Sequence, residues 1–227
     1  MKLKNNVVLV TGASTGIGKS TAFALAKAGA KVVITYNSSR WGAIAAQKEC
    51  AKFGHAEILK LNVTSDSSIK NAVKFVQRKF GKLDALVNNA GVGYFAHFDI
   101  LRRKEIEEMF GVNVIGTMMM SKHFLPMLKQ QKESVIVNIA SMAGYHVWED
   151  GSVYCPTKWA VRAFTKALAI ELPKRIKIYN VNPDRTKTSM GGWQGDDPND
   201  VAEIVVNTIK GTYSKRSGAD IDVPNYL

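Results

Sequence analysis

The chain is poor in cysteine and contains no long apolar run. Cys50 and Cys155 are the only cysteines among 227 residues, so a disulfide framework is excluded as the basis of the fold. Free thiols are typical of reducing compartments, and an apolar strand pattern begins at Val7 with no export signal before it. No stretch reaches the length of a membrane span. We therefore expect a cytoplasmic protein without a membrane partner.

Metal-binding and nucleic-acid-binding signatures are also missing. The histidines at positions 55, 97, 123 and 146 are scattered, without the close spacing of a metal site. The net charge of +12 raises the alternative of a nucleic-acid partner, which salt-dependent retention on DNA would test. The lysines are spread along the chain and no arginine-rich arm occurs, so we interpret most of them as solvated helix faces.

Strand-like and helix-like patterns alternate along the chain. This alternation predicts an α/β fold with one parallel sheet of roughly seven strands and helices on both faces, the doubly wound Rossmann type. The length suits one domain over residues 1–227. The predicted strands are 7–12, 31–36, 56–62, 84–89, 134–141, 175–182 and 220–223. The predicted helices are 17–29, 40–53, 67–80, 101–130, 153–172 and 199–211, with a bend in the fourth near 113–116.

Three glycines follow the first predicted strand. Residues 7–18 read VVLVTGASTGIG, so Gly12, Gly16 and Gly18 stand between a buried strand and a helical pattern. Glycine permits a tight turn and a close approach of the backbone to a ligand. The N-terminus of the following helix favours a pyrophosphate group. The turn predicts a dinucleotide site, and a glycine-rich turn without a ligand is the alternative.

Tyr154 and Lys158 are four residues apart in a helical pattern, so both side chains project from one face. An ammonium beside a phenol favours the ionised form and lowers the phenol pKa from its usual ~10. Pro156 is tolerated only in a first helical turn, so the helix begins near Val153. Ser141 ends the preceding strand. Taken singly, Ser141 also fits a strand-end cap and Lys158 a surface lysine.

Together these segments resemble the short-chain dehydrogenase/reductase family, including its 3-oxoacyl-carrier-protein reductase-like members. TGASTGIG (11–18), NNAG (88–91), Asn113, Ser141 and the Tyr154–Lys158 pair follow the family's order and spacing, from about Lys4 to about Asp222. The resemblance implies hydride transfer between a nicotinamide cofactor and a small carbonyl or alcohol substrate. A catalytically idle dinucleotide sensor that acts through a partner is the alternative, and the intact catalytic set argues against it.

The resemblance also implies a role for each catalytic residue. Tyr154 is expected to supply the proton that the substrate oxygen needs, and Ser141 to donate a hydrogen bond to that oxygen. Lys158 is expected to hold the pKa of Tyr154 down and to reach the ribose hydroxyls. Asn113 is expected to link Lys158 to a water chain, whereas a polar helix kink is its alternative role.

The end of the second strand favours NADP over NAD. It reads VVITYNSSR, without the acid that an NAD site uses to bind the ribose 2′-hydroxyl. Arg40 and the neighbouring serines suit a 2′-phosphate, although Arg40 could also lie on a helix surface. The expected cofactor contacts are Gly12, Ser14, Thr15, Gly16, Ile17, Gly18, Asn37, Ser38, Arg40, Asn62, Val63, Asn89, Ala90, Gly91, Tyr154, Lys158, Pro183 and Thr188.

Besides Pro156, a mild departure that leaves the expected mechanism unchanged, two positions depart from the family pattern. Asn62 stands where the family usually has an aspartate that contacts the adenine amino group. The asparagine oxygen can still accept a hydrogen bond, so we expect this contact to be weakened but not removed. Asp184 follows Pro183 where glycine is common, which leaves the geometry there open. Loops at the predicted binding edge are rich in apolar side chains and suggest an apolar substrate pocket. These side chains are Tyr94, Phe95, Tyr145, Val147, Trp148, Met190 and Trp193.

Two predicted helices, 101–130 and 153–172, carry more apolar residues than one buried stripe requires. The surplus comprises Met118 to Met120, Phe124, Leu125, Trp159, Phe164 and Leu168. Large exposed apolar patches are rare on monomers, and in the resembling family this helix pair packs against its copy. We therefore expect a homo-oligomer with two-fold symmetry, a tetramer ahead of a dimer.

Overall fold

One parallel sheet runs through the molecule. The computed structural model describes all of residues 1–227. Its strands are β1 (Val7–Val10), β2 (Lys31–Tyr36), β3 (Ala56–Lys60), β4 (Ala85–Asn88), β5 (Ser134–Ile139), β6 (Ile176–Asn182) and β7 (Asp220–Asp222). Their order is β3-β2-β1-β4-β5-β6-β7, and every pair is parallel. The order reverses at β1, where such sheets open a crevice beyond the carboxyl ends of the strands. The predicted sheet is confirmed.

Helices cover both faces of this sheet. They are α1 (Gly16–Lys27), α2 (Arg40–Cys50), α3 (Asp66–Phe80), α4 (Arg103–Met109), α5 (Thr117–Lys129), α6 (Tyr154–Glu171) and α7 (Pro198–Lys210). On one face, α1, α2 and α7 bury Leu25, Ala43 and Val205 against the strands. On the other, α3 and α5 bury Val76 and Phe124. No helix combines the length and the apolar character needed to cross a membrane.

The predicted long helix 101–130 is divided into three parts. A π-helical segment, Phe110–Gly116, separates α4 from α5 and contains Asn113. Gly116 lies so close to Val63 that a β-carbon on it would stand 2.8 Å from a Val63 methyl group. The π-helical segment therefore covers the position, residues 113–116, at which a bend was predicted. Such segments often occur at functional sites.

A row of polar side chains crosses four neighbouring strands. Asn88, Asn138, Asn180 and Asp220 are in register on β4, β5, β6 and β7. Asn88 donates to Asn138 (2.8 Å), and Asn180 donates to Asp220 (3.0 Å). Thr165 of α6 bridges the middle pair, since it accepts from Asn138 at 2.8 Å and donates to Asn180 at 2.6 Å. Hydrogen bonds, and not only apolar contacts, therefore hold α6 on the sheet.

Candidate active site

The glycine-rich turn between β1 and α1 is shaped to approach a ligand closely. Gly12 and Gly16 have positive φ angles of 61° and 53°, which other residues rarely adopt. A β-carbon on Gly18 would collide with the Gly12 carbonyl and the Asn89 amide. Thr15 precedes α1 without capping it, and the first turn contains no acid. The free N–H groups of that turn therefore suit an anionic group, as a dinucleotide pyrophosphate requires.

The segment after β4 braces this turn. The Asn89 side chain donates to the carbonyls of Thr11 (2.8 Å) and Gly12 (3.1 Å). The Thr11 hydroxyl in turn accepts from the backbone N–H groups of Asn89 (2.8 Å) and Ala90 (2.9 Å). Thr188 lies on the other side, because a β-carbon on Gly16 would stand 3.1 Å from its methyl group. The predicted contact residues in these three segments therefore lie together.

The end of β2 forms the outer part of the same groove. Asn37, Ser38 and Arg40 are exposed there, and Arg40 makes no ion pair. The start of α2 abuts the glycine-rich turn, since a β-carbon on Gly42 would lie 2.6 Å from the Ser14 carbonyl oxygen. The Arg40 guanidinium is therefore available to a phosphate near that turn.

Three predicted cofactor residues are engaged within the chain. The Asn62 side-chain oxygen accepts from both the N–H (3.0 Å) and the hydroxyl (2.8 Å) of Thr64. Both of its lone pairs are thus used, so a contact of this oxygen with adenine would compete with these two bonds. The Val63 side chain is buried against Gly116. The Pro183 carbonyl accepts from the N–H of Met142 at 2.8 Å.

The departure at Asp184 is accommodated without backbone strain. Asp184 is not among the residues with positive φ, so this position does not require glycine. Its carboxylate accepts from the N–H of Arg185 at 2.8 Å, and its carbonyl accepts from the Thr186 hydroxyl at 3.0 Å. The aspartate therefore stabilises the turn that follows β6.

Ser141, Tyr154 and Lys158 meet at the carboxyl edge of the sheet. Tyr154 is the first residue of α6, and its side chain and that of Lys158 are buried, with 8% and 7% of each residue exposed. Lys158 Nζ lies 5.6 Å from the Tyr154 ring centroid and donates to the Ile139 carbonyl at 3.0 Å. Lys158 is therefore not a surface lysine. Ser141 Oγ accepts from Ala143 N–H (3.0 Å) and donates to the Pro183 carbonyl (3.3 Å), so it also caps the strand end.

Burial controls the protonation of this pair. It raises the pKa of Tyr154 above its ordinary value, and a hydrogen bond with Ser141 acts in the opposite direction. Burial also lowers the pKa of Lys158 to about 8. The expected lowering of the Tyr154 pKa by Lys158 stays a prediction. The Lys158 ammonium donates to the Ile139 carbonyl, and burial is the largest influence on the Tyr154 phenol.

Asn113 connects the loop after β4 to α6. Its side chain donates to the Val92 carbonyl (2.9 Å), accepts from the Val92 N–H (2.8 Å) and donates to the Thr157 hydroxyl (3.1 Å). A β-carbon on Gly91 would stand 3.3 Å from Asn113 Oδ1 and 3.8 Å from Lys158 Nζ. Asn113 therefore lies beside Lys158, but its own side-chain bonds go to Val92 and Thr157.

The apolar side chains predicted for the substrate pocket separate into different environments. Phe95 and Trp148 lie beside the Tyr154 ring, with centroid distances of 5.1 Å and 6.4 Å. The Tyr145 ring instead stacks on the Arg162 guanidinium, whose Cζ lies 3.2 Å from the ring centroid. The Tyr94 hydroxyl donates to Glu108 at 2.8 Å. Val147, Met190 and Trp193 are exposed.

Sequence reasoning missed the buried ion pair of Arg162 and Asp220. Two guanidinium nitrogens of Arg162 donate to the two carboxylate oxygens of Asp220, each at 3.0 Å. Arg162 also donates to the Gly144 carbonyl, in the turn that follows Ser141. The spacing of Arg162 could have indicated this role. Arg162 lies one helical turn after Lys158, on the same face of α6 as Tyr154 and Lys158.

Comparison with known proteins agrees with this geometry. The family model for short chain dehydrogenases matches residues 6–199, so the chain belongs to that family of oxidoreductases. An NADP-dependent 3-hydroxy acid dehydrogenase of Schizosaccharomyces pombe is 34% identical, over 90% of this chain and 87% of the relative. A short chain dehydrogenase of Burkholderia cenocepacia in complex with NADP matches with a TM-score of 0.91 and 29% identity, over 98% of this chain and 97% of the other.

A third relative carries the other nicotinamide cofactor. The structure of 3-ketoacyl-(acyl-carrier-protein) reductase from Brucella melitensis, complexed with NADH, matches with a TM-score of 0.91 and 31% identity. The match covers 97% of each chain. The fold is thus shared almost completely with enzymes that were solved with either cofactor.

Proposed function

We propose that this chain is an NADP(H)-dependent oxidoreductase that transfers a hydride between the cofactor and a carbonyl or alcohol substrate, with Tyr154 as general acid and base. The observation that carries this proposal is the convergence of Ser141, Tyr154 and Lys158 beside the glycine-rich turn. One sheet carries both groups of residues, so we infer a single domain over residues 1–227 for cofactor binding and catalysis.

In the reductive direction, the substrate oxygen gains negative charge and needs a proton. The Tyr154 hydroxyl donates that proton, and burial keeps the phenol protonated until it is required. Ser141 donates a hydrogen bond to the same oxygen by exchanging its long bond to the Pro183 carbonyl. Lys158 carries a charge at pH 7, because its pKa lies near 8, and it stabilises the phenolate that Tyr154 becomes.

The cofactor supplies the hydride when it is bound, and three segments would hold it. The first turn of α1 suits its pyrophosphate, and the segment Asn89–Gly91 lies alongside. Arg40 and Ser38 suit a 2′-phosphate, since this end of β2 has no carboxylate to repel it. The NADP dependence of the yeast relative and the NADP-bound Burkholderia structure support NADP. The NADH-bound Brucella structure makes NAD the cofactor to test against it.

Replacement of Tyr154 by phenylalanine tests the proposal. Tyr154→Phe removes the transferable proton and little else, so we expect turnover of small aldehydes and ketones to fall by ~10²–10⁴. Binding of NADPH, measured by fluorescence titration, should remain close to that of the wild type. Retention of more than a tenth of wild-type turnover would refute the assignment. NADPH binding without turnover of any carbonyl by the wild type would favour the dinucleotide sensor.

We further propose that the chain assembles into a homo-oligomer, a tetramer ahead of a dimer. Exposed apolar side chains on the π-helical segment, α5 and α6 support this. They are Phe110, Ile115, Met118, Trp159 and Ile170. Two buried cysteines that form no disulfide support a cytoplasmic location.

A further inference from the structure

Two aromatic side chains enclose the ring of Tyr154. Phe95, in the loop after β4, meets it edge-on with an interplanar angle of 64°. Trp148, in the loop after β5, lies 6.4 Å from it between ring centroids, with an interplanar angle of 46°. Phe95 and Trp148 keep 43% and 47% of their surfaces exposed, whereas Tyr154 is buried. We therefore expect a substrate whose carbonyl oxygen reaches the hydroxyls of Tyr154 and Ser141 to place its neighbouring atoms against these two rings.

Glycines leave the space that both rings occupy. A β-carbon on Gly93 would lie 2.8 Å from the Phe95 ring and 3.3 Å from the Tyr154 ring, so any larger residue would displace Phe95. A β-carbon on Gly151 would lie 3.2 Å from the indole nitrogen of Trp148 and 2.8 Å from Cys155 Sγ. The hydrogen bond from Tyr94 to Glu108 fixes the first loop further. The aromatic walls are thus a built part of the site.

The charge around these walls is unlike that of the rest of the chain. Lysine and arginine total 31, yet neither occurs in residues 89–101 or 140–153, the two segments that carry Phe95 and Trp148. The charged side chains there are the acids Asp99, Glu149 and Asp150. The loop after β6 does contain two cations, Arg185 and the exposed Lys187. Arg185 Nε donates to the Gly191 carbonyl at 3.0 Å, and the charge of Lys187 acts on the Asp196 carboxyl. Lys158 is committed to the Ile139 carbonyl.

We propose that this site selects neutral carbonyl compounds with a flat apolar group next to the carbonyl, and that it discriminates against carboxylates. The inference rests on the proposed reductase function and names its substrate class. An aryl group can pack edge-on or offset between Phe95 and Trp148. A carboxylate there would lose water without gaining a cationic partner. The Schizosaccharomyces pombe relative is named for 3-hydroxy acids, which carry a carboxylate. The inference therefore gives this chain a different substrate class from the one in that relative's name.

Matched substrate pairs test the inference on the wild-type protein with NADPH. Benzaldehyde is compared with cyclohexanecarbaldehyde, methyl acetoacetate with acetoacetate, and propanal serves as a small reference. We expect kcat/KM to be roughly tenfold or more higher for the neutral ester than for its acid, because a charged group that loses water without gaining a cationic partner is disfavoured. Benzaldehyde should exceed its saturated counterpart by about three- to tenfold. Equal or higher kcat/KM for acetoacetate would overturn the inference.

Variants of the two walls give a second, independent readout. Trp148→Ala and Phe95→Ala should each raise KM for benzaldehyde about three- to tenfold, with a much smaller effect on propanal. Phe53→Ala is the matched control. Phe53 follows α2, is exposed to a similar extent (45%) and packs on Phe23 instead of Tyr154. Trp148→Phe and Phe95→Leu keep part of the wall and should lie between wild type and alanine.

The two proposals fail in different ways. Loss of propanal and benzaldehyde turnover to the same extent in both alanine variants would show that these rings position Tyr154 and do not select substrates. In that case the reductase function stands and the substrate class is wrong. Full activity of Tyr154→Phe would instead remove the reductase mechanism, whatever the substrate preferences are.

Discussion

At the start of α6, burial shifts two ionisable side chains in opposite directions. It favours the neutral forms of both, which raises the pKa of Tyr154 and lowers that of Lys158 to about 8. The neutral phenol is the form that can donate a proton in reduction. The charged lysine is the form that stabilises the phenolate left behind. Both useful forms therefore coexist only below about pH 8.

This pair predicts the pH dependence of reduction. A lysine whose pKa is lowered is charged below that pKa and neutral above it, so kcat/KM should fall as the pH rises through about 8. The profile of kcat/KM reports the free enzyme. Lys158→Arg keeps its charge throughout, so whatever activity this variant retains should show no decline at that pH. A wild-type profile that stays flat to pH 10 would contradict the role given to the Lys158 charge.

The position of Arg40 predicts a preference for NADPH over NADH. It is exposed beside the glycine-rich turn and makes no ion pair. Charged hydrogen bonds contribute about 1.5–3 kcal/mol, so Arg40→Ala should weaken NADPH binding roughly tenfold or more and leave NADH binding nearly unchanged. Arg78→Ala, an exposed arginine of α3, is the control in the same titration. Equal losses for both cofactors would show that Arg40 does not contact a 2′-phosphate.

At the scale of single elements, α6 depends on polar contacts for its position. Lys158, Arg162 and Thr165 follow one another along the face turned to the sheet, and each is hydrogen-bonded there. Burial disfavours ionisation of Asp220, but hydrogen bonds from Arg162, Lys166 and Asn182 outweigh it and hold the pKa of this carboxyl below its ordinary value. Such a network fixes geometry more narrowly than apolar packing does.

The Arg162–Asp220 pair predicts a pH-dependent stability. Because the folded-state pKa of Asp220 is lowered, its contribution is present above the unfolded pKa of ~3.9 and is lost as the pH falls below it. Asp220→Asn leaves Arg162 buried without a charged partner, so we expect a loss of about 3 kcal/mol at pH 7. Urea unfolding should show wild type and variant converging below pH 4. Glu107→Gln, at an exposed pair with Arg103, is the control and should change little.

Some structural features of this fold can be predicted from local sequence patterns, and others cannot. The apolar runs of β1 and β4 and the periodicity of α3 are local signals, and the structure agrees with them. The row from Asn88 to Asp220 depends on register between strands that lie far apart in sequence, so no local pattern predicts it. No local pattern predicts the pKa of Tyr154 either. The spacing to Lys158 was visible, whereas the burial that dominates it is a property of the packed site.

At the scale of the whole molecule, the active-site residues lie at the carboxyl edge of the sheet, and α5 and the outer side of α6 present apolar side chains. The sequence indicated this surplus but assigned part of it wrongly. Met120 and Phe124 of α5 are fully buried and belong to the core. Met118 and Trp159 are exposed as expected, and Phe110, Ile115 and Ile170 add to them. The apolar surface is therefore real, although its residues differ from those predicted.

This surface predicts the assembly. An exposed apolar patch on a helix pair is stabilised by a two-fold copy of itself, and a second interface of the same symmetry gives a tetramer. Light scattering at micromolar concentration should give about four times the chain mass of 24.9 kDa. Trp159→Glu places a charge in the patch and should reduce the mass, whereas Phe53→Glu, on a separate exposed aromatic, should not. Twice the chain mass in the wild type would keep the helix-pair interface and reject the tetramer, and a single-chain mass would reject both.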